Sequence, residues 1–490
     1  MIKVFNTLTR KKEEFEPLED RKVKMFVCGP TVYDYSHLGH ARTYSVYDTV
    51  AKWLRFKGFD VTFVMNITDV DDKIIKRAKE QNKDPIELAR EFEKIFHEDM
   101  KTLSIDSINI FARASEHIVE IIDQIRRLIE RGYAYVTSTG IYYDITKFDD
   151  YGKLSHQNPE ELKKHRIEPD PTKKHTQDFS LWKVTSEPKP KWNLEIELEL
   201  PKEQIDYILG KGSEKFVQLS DNKIKITIPG RPGWHIEDTA IAEKYLGQQY
   251  DIHGGGEDLI FPHHEAEIAQ MESVSGKKPF VKYWIHTSFL MIRKQKMAKS
   301  LRNFMTIKEV VKRWDPEVLR LFFASTHYRT QINYDEKNLE QAKTNLEKLY
   351  NTLRLIKETK EGEDGALKLE ELEKKFEAAM DDDFNTPEAL KILFQISTEI
   401  NKYLSENKPS KEAKEKMEKI LRRFGNVLGI LRKDVKIEEL PPEIMELIRQ
   451  RENLRKVGKF EEADKIRKEL KEKFGIILED TPKGTRWRKI

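Results

Sequence analysis

The sequence predicts an α/β fold with a parallel sheet, followed by a long helical region, and three observations point to it. From Val23 to about Arg113, short apolar runs alternate with longer helical stretches, the pattern of successive β-α-β units. From about Asn338 to Arg432 the chain becomes amphipathic and charge-laced, as in a helical bundle. At 490 residues it also exceeds what one ordinary core accommodates, so several domains are expected.

Taken in order, Lys24-Met25-Phe26-Val27-Cys28 is apolar and β-prone, and Gly29-Pro30-Thr31 breaks it. A helix follows, with His37-Leu38-Gly39-His40 near its start and its end near Gly58. Val61 to Val64 reads as the next strand, and Asn66-Ile67-Thr68-Asp69 sits at its carboxyl end, where α/β sheets gather ligands. Tyr250-Asp251-Ile252-His253, followed by Gly254-Gly255-Gly256, repeats that arrangement. Three strand ends thus direct Cys28, Thr68 and His253 toward one crevice.

Between the two halves of the sheet lies a connecting region, about 114–229. Within it Leu194, Ile196, Leu198 and Leu200 alternate with charged residues, a helical stretch follows Pro201, and Lys223 to Ile228 alternates again. We read 193–228 as a small strand-helix-strand insert, too short for a core of its own, and expect it to touch the acceptor end of an RNA partner. Residues 306–334 read as mainly helical. The bundle is broken at Asp381-Asp382-Asp383-Phe384-Asn385-Thr386-Pro387, where Asn-Thr-Pro marks a helix start. Pro441-Pro442 marks a linker. Beyond it come helical segments at Glu443 to Val457 and Phe460 to Phe474, an apolar strand Ile476-Ile477-Leu478, and the basic end Arg486-Trp487-Arg488-Lys489. A terminal module with basic groups and aromatic faces suits RNA bases.

Composition excludes more than it selects. Apolar residues at 38% beside 35% charged ones suit elongated modules with much exposed helical surface, and the net charge of +3 decides little about nucleic acid. Abundant Lys and Glu resembles proteins from hot environments. No run approaches the roughly 18 to 20 apolar residues a membrane span needs, and the first twenty residues lack a signal-peptide core, so a soluble, cytoplasmic protein is expected. One cysteine excludes an internal disulfide, leaving Cys28 inert, reactive or a metal ligand.

Two signatures carry the chemistry. His37 and His40, three residues apart at a helix N-terminus, can donate to phosphate oxygens where orphan N–H groups and the helix dipole already favour anions. Lys296-Met297-Ala298-Lys299-Ser300 follows the apolar run Trp284 to Ile292 and offers two ammonium groups on a loop, suited to charge spreading over phosphates during adenylyl transfer. Together they resemble the two halves of the ATP site of a class I aminoacyl-tRNA synthetase. A third constellation is His263-His264-Glu265-Ala266-Glu267, where i, i+4 spacing lets His263 and Glu267 converge on one ion.

With Cys28-Gly29-Pro30-Thr31 and Gly230-Arg231-Pro232-Gly233-Trp234-His235-Ile236-Glu237-Asp238 added, the resemblance narrows to cysteinyl-tRNA synthetases and covers nearly the full length except the insert. It implies a Rossmann-like catalytic domain in two halves, 1–113 and 230–305, split by the connecting region. A stem-contact region at 306–337, a helical bundle at 338–435 and a C-terminal anticodon-binding module at 441–490 follow. It also implies one Zn²⁺ per subunit, held by Cys28, His263, Glu267 and, where the family has a second cysteine, Asp238. Thr68, Trp234 and His253, beside Cys28, would line the cysteine pocket. His37, His40, Lys296 and Lys299 would be catalytic, with His37, His40 and Lys299 contacting ATP, which Mg²⁺ would accompany without a dedicated protein site. Arg455, Asp464, Asp480 and Trp487 would read the anticodon, and Phe460 stands where relatives often have tryptophan. Ala298 and Arg302 depart from the usual loop residues without removing a lysine.

The activity implied is activation of L-cysteine with ATP to cysteinyl adenylate, then transfer to tRNA(Cys) by a monomer. Two rivals are a cysteine ligase with a non-tRNA acceptor, which the segment 443–490 disfavours, and an inactive RNA-binding paralogue, which the retained histidines and lysines disfavour.

Overall fold

The computed structural model describes residues 1–157, 170–186, 190–292, 295–296, 304–363, 367–435, 440–481 and 484–489. The chain forms two compact units, a larger one, 1–347 with 370–394 and 422–432, and a smaller one, 348–369, 395–421 and 433–490.

In the larger unit a short hairpin, β1 (Lys3–Asn6) and β2 (Lys11–Glu14), precedes β3 (Lys22–Val27), α1 (Leu38–Phe56), β4 (Asp60–Ile67), α2 (Asp72–Gln81), α3 (Pro85–Thr102) and β5 (Ile110–Arg113). The expected strands and the helix beginning at the His-Leu-Gly-His run are all present. Gly29 is obligatory, because a Cβ there would lie 1.7 Å from the Asn66 carbonyl oxygen. The connecting region opens with α4 (Ile118–Glu130) and forms a six-stranded sheet from β6 (Ala134–Val136), β7 (Gly140–Tyr143), β8 (Phe179–Val184), β9 (Trp192–Glu199), β10 (Val217–Ser220) and β11 (Lys223–Pro232). The insert is strand-helix-strand as read, β9 and β11 flanking α5 (Lys202–Ile208), with β10 added. Its apolar side chains, Leu194, Ile196, Leu198, Ile224, Ile226 and Ile228, are buried in a core shared with α4 and the catalytic strands. Glu195, Glu197 and Glu199 alternate outward beside Lys223 and Lys225, so its outer face offers RNA no continuous cationic track.

The second catalytic half comprises α6 (Trp234–Leu246), β12 (Tyr250–Gly256), α7 (Glu265–Ser275) and β13 (Val281–Thr287). The central sheet is parallel, in the order β13-β12-β3-β4-β5, so the chain crosses over between β5 and β12 and leaves the strand ends facing one crevice. The glycine run does not end β12 but continues it. A Cβ on Gly254 would fall 2.3 Å from the Tyr47 ring, whose hydroxyl donates to the Gly255 and Ile285 carbonyls at 2.9 and 2.7 Å. These glycines thus admit a helix side chain to the sheet.

The apolar run Trp284 to Ile292 spans two strands: Ser288-Phe289 separates the end of β13 from β14 (Leu290–Ile292), which pairs with β15 (Gln295–Lys296). Then come α8 (Ile307–Val310), α9 (Pro316–Ala324) and β16 (Ile332–Tyr334). β16 corrects the expectation of helix up to Tyr334, because it pairs in parallel with β14, about forty residues earlier in sequence. The bundle helices are α10 (Glu336–Glu358), α11 (Glu370–Asp381), α12 (Thr386–Glu406), which starts at the Asn-Thr-Pro run, and α13 (Lys411–Leu428). In the smaller unit α14 (Pro442–Lys456) and α15 (Phe460–Phe474) pack on the hairpin β17 (Ile476–Thr481) and β18 (Gly484–Lys489) around Ile444, Ile448, Leu470, Ile476 and Leu478. Pro442 is the first residue of α14 rather than linker, since a proline fits a first turn whose N–H groups have no intrahelical partner.

Candidate active site

The crevice at the carboxyl ends of β3, β4 and β12 gathers the residues expected there. Cys28 follows β3, and its Sγ lies 3.4 Å from His253 Nε2 on β12 and 3.9 Å from Glu267 Oε1 on α7. His263 Nε2 is 3.0 Å from both Glu267 Oε1, one helical turn on, and Asp238 Oδ2 on α6. The donor atoms of Cys28, Asp238, His263 and Glu267 all lie within 4.8 Å of one another, and all four residues are buried. The four ligands expected for zinc therefore converge, Asp238 included.

Electrostatics around the cluster fit a cation. Burial first, then the neighbouring Asp238 and Glu267, push the Cys28 thiol well up, and burial with Asp238 raises Glu267. Glu267 Oε2 is buried without a hydrogen bond among the described residues. Three acidic donors packed out of water repel one another unless a positive charge sits between them. Burial and neighbouring imidazoles hold His253 and His264 far below the usual imidazole range, in the neutral form that ligates metals.

Around this centre stand residues the sequence did not single out. Asn66 donates to Asp238 Oδ1 at 2.6 Å, fixing that carboxylate. Glu237 accepts from the Thr68 hydroxyl at 2.6 Å, so Thr68, expected to hold substrate, already has a partner. His264 Nε2 lies 3.1 Å from Cys28 Sγ, while its Nδ1 lies 2.8 Å from His286 Nε2, and His286 Nδ1 lies 2.8 Å from the Thr7 hydroxyl. His263 Nδ1 meets His235 Nδ1 at 2.7 Å. Such outer partners orient ligating imidazoles. Trp234 opens α6 and stacks on the His263 ring, centroids 4.1 Å apart, yet is 40% exposed, as a cover over a small pocket would be.

The histidine signature borders the next cleft, about 300 Å³ in volume, lined by the segment Pro30 to His37, His40, Lys73, Phe92, Phe96 and Phe304. His37 caps α1 and His40 is its third residue: each ring Nδ1 accepts from the other's backbone N–H, and the rings stack at 3.8 Å. Accepting at Nδ1 places the ring proton on Nε2, so each imidazole is a neutral donor on one helical face. Burial, with His37 and Lys73 nearby, keeps His40 far below the usual imidazole range. The lysine segment begins at β15. Lys296 is placed there by its backbone alone, and Met297, Ala298, Lys299, Ser300 and Arg302 lie outside the described residues. The chain re-enters beside the histidines: the Leu38 N–H donates to the Met305 carbonyl at 3.1 Å, and the Phe304 ring packs edge-on against His37.

Comparison with known proteins settles the family. The model for class I (C) tRNA synthetase catalytic domains matches residues 14–201 and 195–344, a DALR domain matches 375–432, and the cysteinyl-tRNA ligase anticodon binding domain matches 438–488. A cysteine–tRNA ligase of Thermococcus gammatolerans is 47% identical over 505 residues, covering all of this chain and 99% of that protein. The chain belongs to the cysteine–tRNA ligases. Ligases of Methanococcus maripaludis and Symbiobacterium thermophilum are each 44% identical over the whole chain and at least 99% of their own length. A methionyl-tRNA synthetase of Mycobacterium tuberculosis shares the fold, with a TM-score of 0.59 at 16% identity over 84% of this chain and 92% of that one.

This ligase activates L-cysteine with ATP and transfers it to tRNA(Cys), and neither rival reading is favoured. Among the described residues no helix is long and apolar enough to cross a membrane. In its C-terminal module Asp480 is engaged: Arg451, fully buried, grips it through both nitrogens, with Nη2 to Oδ2 at 2.6 Å, and Arg455 adds an ion pair at 3.4 Å. The Arg455 guanidinium lies 5.8 Å from the exposed Phe460 ring, Asp464 is exposed on α15, and Trp487 is placed by its backbone in β18.

One residue near this cleft works against stability. Asp99, one turn beyond Phe96 on α3, is buried with Oδ2 unpartnered among the described residues, and burial pushes its carboxyl up to about 6, partly opposed by Lys308. A carboxyl that holds its proton more tightly when folded stabilises most below its unfolded value, and that stability is lost as pH rises toward about 6. Asp99→Asn is therefore expected to stabilise the ligase by about 2 kcal/mol above that pH and to flatten the slope, read from melts at about pH 5 and pH 8.

Proposed function

We propose that Cys28, Asp238, His263 and Glu267 hold one zinc ion at the floor of the crevice, and that the adjoining cleft takes ATP with Mg²⁺. Bound there, zinc supplies a soft Lewis acid that tells a thiol side chain from a hydroxyl, a distinction of one atom that pocket shape resolves poorly. The convergence of four ligand donors at the strand ends carries this reading. His253, held by the Tyr250 hydroxyl at 2.6 Å, and the half-exposed Trp234 bound the cysteine side chain between floor and mouth. The cysteine carboxylate attacks the α-phosphate with no protein nucleophile. His37 and His40 donate from Nε2 to the phosphate oxygens, and the ammonium groups of Lys296 and Lys299 neutralise the charge that develops there.

In the C-terminal module, Arg455 with Phe460 forms a stacking platform, and Asp464 and Trp487 serve anticodon recognition. Asp480 acts there by fixing Arg451 and Arg455 rather than by offering a free carboxylate. The reaction belongs in the cytoplasm, where tRNA is charged.

The test is ATP–pyrophosphate exchange with cysteine and with serine in parallel, alongside metal analysis of protein purified without chelator. Exchange with cysteine alone and one zinc per chain is expected. Equal exchange with serine would show that the carboxylate-bearing site does not select by thiolate, and protein free of metal would overturn the ligand assignment.

A further inference from the structure

Arg42 lies two residues beyond His40 on α1 and is 1% exposed. Its two terminal nitrogens are spent on backbone carbonyl oxygens, while Nε is buried without a hydrogen bond among the described residues. Nη1 donates to those of Ser288 and Phe289, each at 2.7 Å, and Nη2 donates to those of Thr330 and, at 3.4 Å, His327. These oxygens come from two separate stretches. Ser288 and Phe289 join β13 to β14, and β14 pairs with β15, which ends at Lys296. His327 to Thr330 leads into β16, which pairs with the other edge of β14. From the helix that begins at the histidine pair, one side chain thus grips both approaches to the small sheet from which the lysine signature departs.

A buried cation is costly unless its donors are used, and an apolar side chain of similar volume often serves stability as well. What an apolar residue lacks is the fork: two arms held apart in one plane that reach two backbone segments at once, whereas the three donors of an ammonium radiate from a single point. The far end of the lysine segment is tied to α1 separately, through Leu38 to Met305 and, just before the helix, the Ile307 N–H to the Ser36 carbonyl at 2.9 Å. With Arg42 at the near end, both ends of that segment are referred to the same helix.

We propose that Arg42 is a positioning residue for adenylate formation, setting the separation between the histidine pair and the lysine segment so that both reach the same phosphates. This rests on the assignment of the two signatures to ATP. Arg42→Lys and Arg42→Gln test it, with Glu257→Gln as a milder variant: Glu257 Oε1 accepts from the Phe289 N–H at 3.2 Å, and its charge favours the Arg42 cation at the same joint, a charge that glutamine removes. Arg42→Lys is expected to lower kcat for cysteine-dependent exchange about 100-fold, the scale of a misplacement near 1 Å, with KM for cysteine and zinc content unchanged. Arg42→Gln should lose at least as much, and Glu257→Gln should lose a few-fold in kcat alone.

Arg42→Lys keeping kcat within about threefold of the unaltered ligase would overturn the proposal. So would kcat, cysteine KM and zinc content failing together, which marks general damage. If neither Arg42 variant folds, Glu257→Gln decides, and an unchanged kcat there overturns it. Lys299→Ala in the same series separates the layers: exchange surviving that change sinks the ATP assignment itself, whereas loss there beside an unaffected Arg42→Lys sinks only the positioning role.

Discussion

Cys28→Ala is expected to remove stoichiometric zinc and to lower cysteine-dependent exchange by at least about 100-fold, since loss of even an outer partner of a metal site costs about 10- to 100-fold. The cluster has one sulfur, and burial has already put its neighbours in tension: Asp238 and Glu267 both raise the Cys28 thiol. Removing the thiolate leaves two carboxylates and an imidazole, a harder set that favours zinc less against other divalent ions. Asp238→Cys should do the reverse, adding a second soft thiolate and slowing loss of zinc to a chelator. Metal analysis gives the first answer, and cobalt substitution gives the second, because a thiolate-to-cobalt band should vanish in Cys28→Ala and grow in Asp238→Cys. Full zinc occupancy in Cys28→Ala would remove Cys28 from the ligand set.

Several of these residues were legible in the sequence for reasons that differ in kind. Cys28, Thr68 and His253 follow from the rule that parallel strands deliver ligands at their carboxyl ends, which needs only strand positions. His263 and Glu267 follow from helical spacing. Asp238 follows from neither, because it reaches the same point from α6, and only the resemblance placed it. His264 and His286 went unread because a residue beside a ligand is expected to face away. Here His264 turns its Nε2 to Cys28 and its Nδ1 to His286, and His286 sat inside a run read for its apolarity. β16 is three residues long and exists through its pairing with β14, which no local propensity reports. The glycine run reads as following the strand rather than continuing β12, because its reason, the Tyr47 ring, is some two hundred residues away in the chain. Asp480 read as a free carboxylate because its arginine partner lies on another element.

His40→Ala is expected to lower kcat for adenylate formation about 10²- to 10³-fold, roughly 3 to 4 kcal/mol, the cost of removing one preorganised donor from developing negative charge. The same ring also closes a capping box with His37, so the change should cost about 1 kcal/mol of stability as well. His40→Gln separates the two effects. Glutamine at the third helical position reaches back to the cap N–H as well as histidine does, so stability should return. Its oxygen and nitrogen share one terminal carbon, whereas an imidazole accepts on one edge and donates from the other, so glutamine cannot span from cap to phosphate and kcat should stay low. A neutral His40 also predicts no break in its contribution to kcat between about pH 6 and 8, because burial keeps the ring from gaining a proton there. Recovery of kcat in His40→Gln along with stability would mean the histidine only caps the helix, and phosphate contact would then rest on His37 and the lysines.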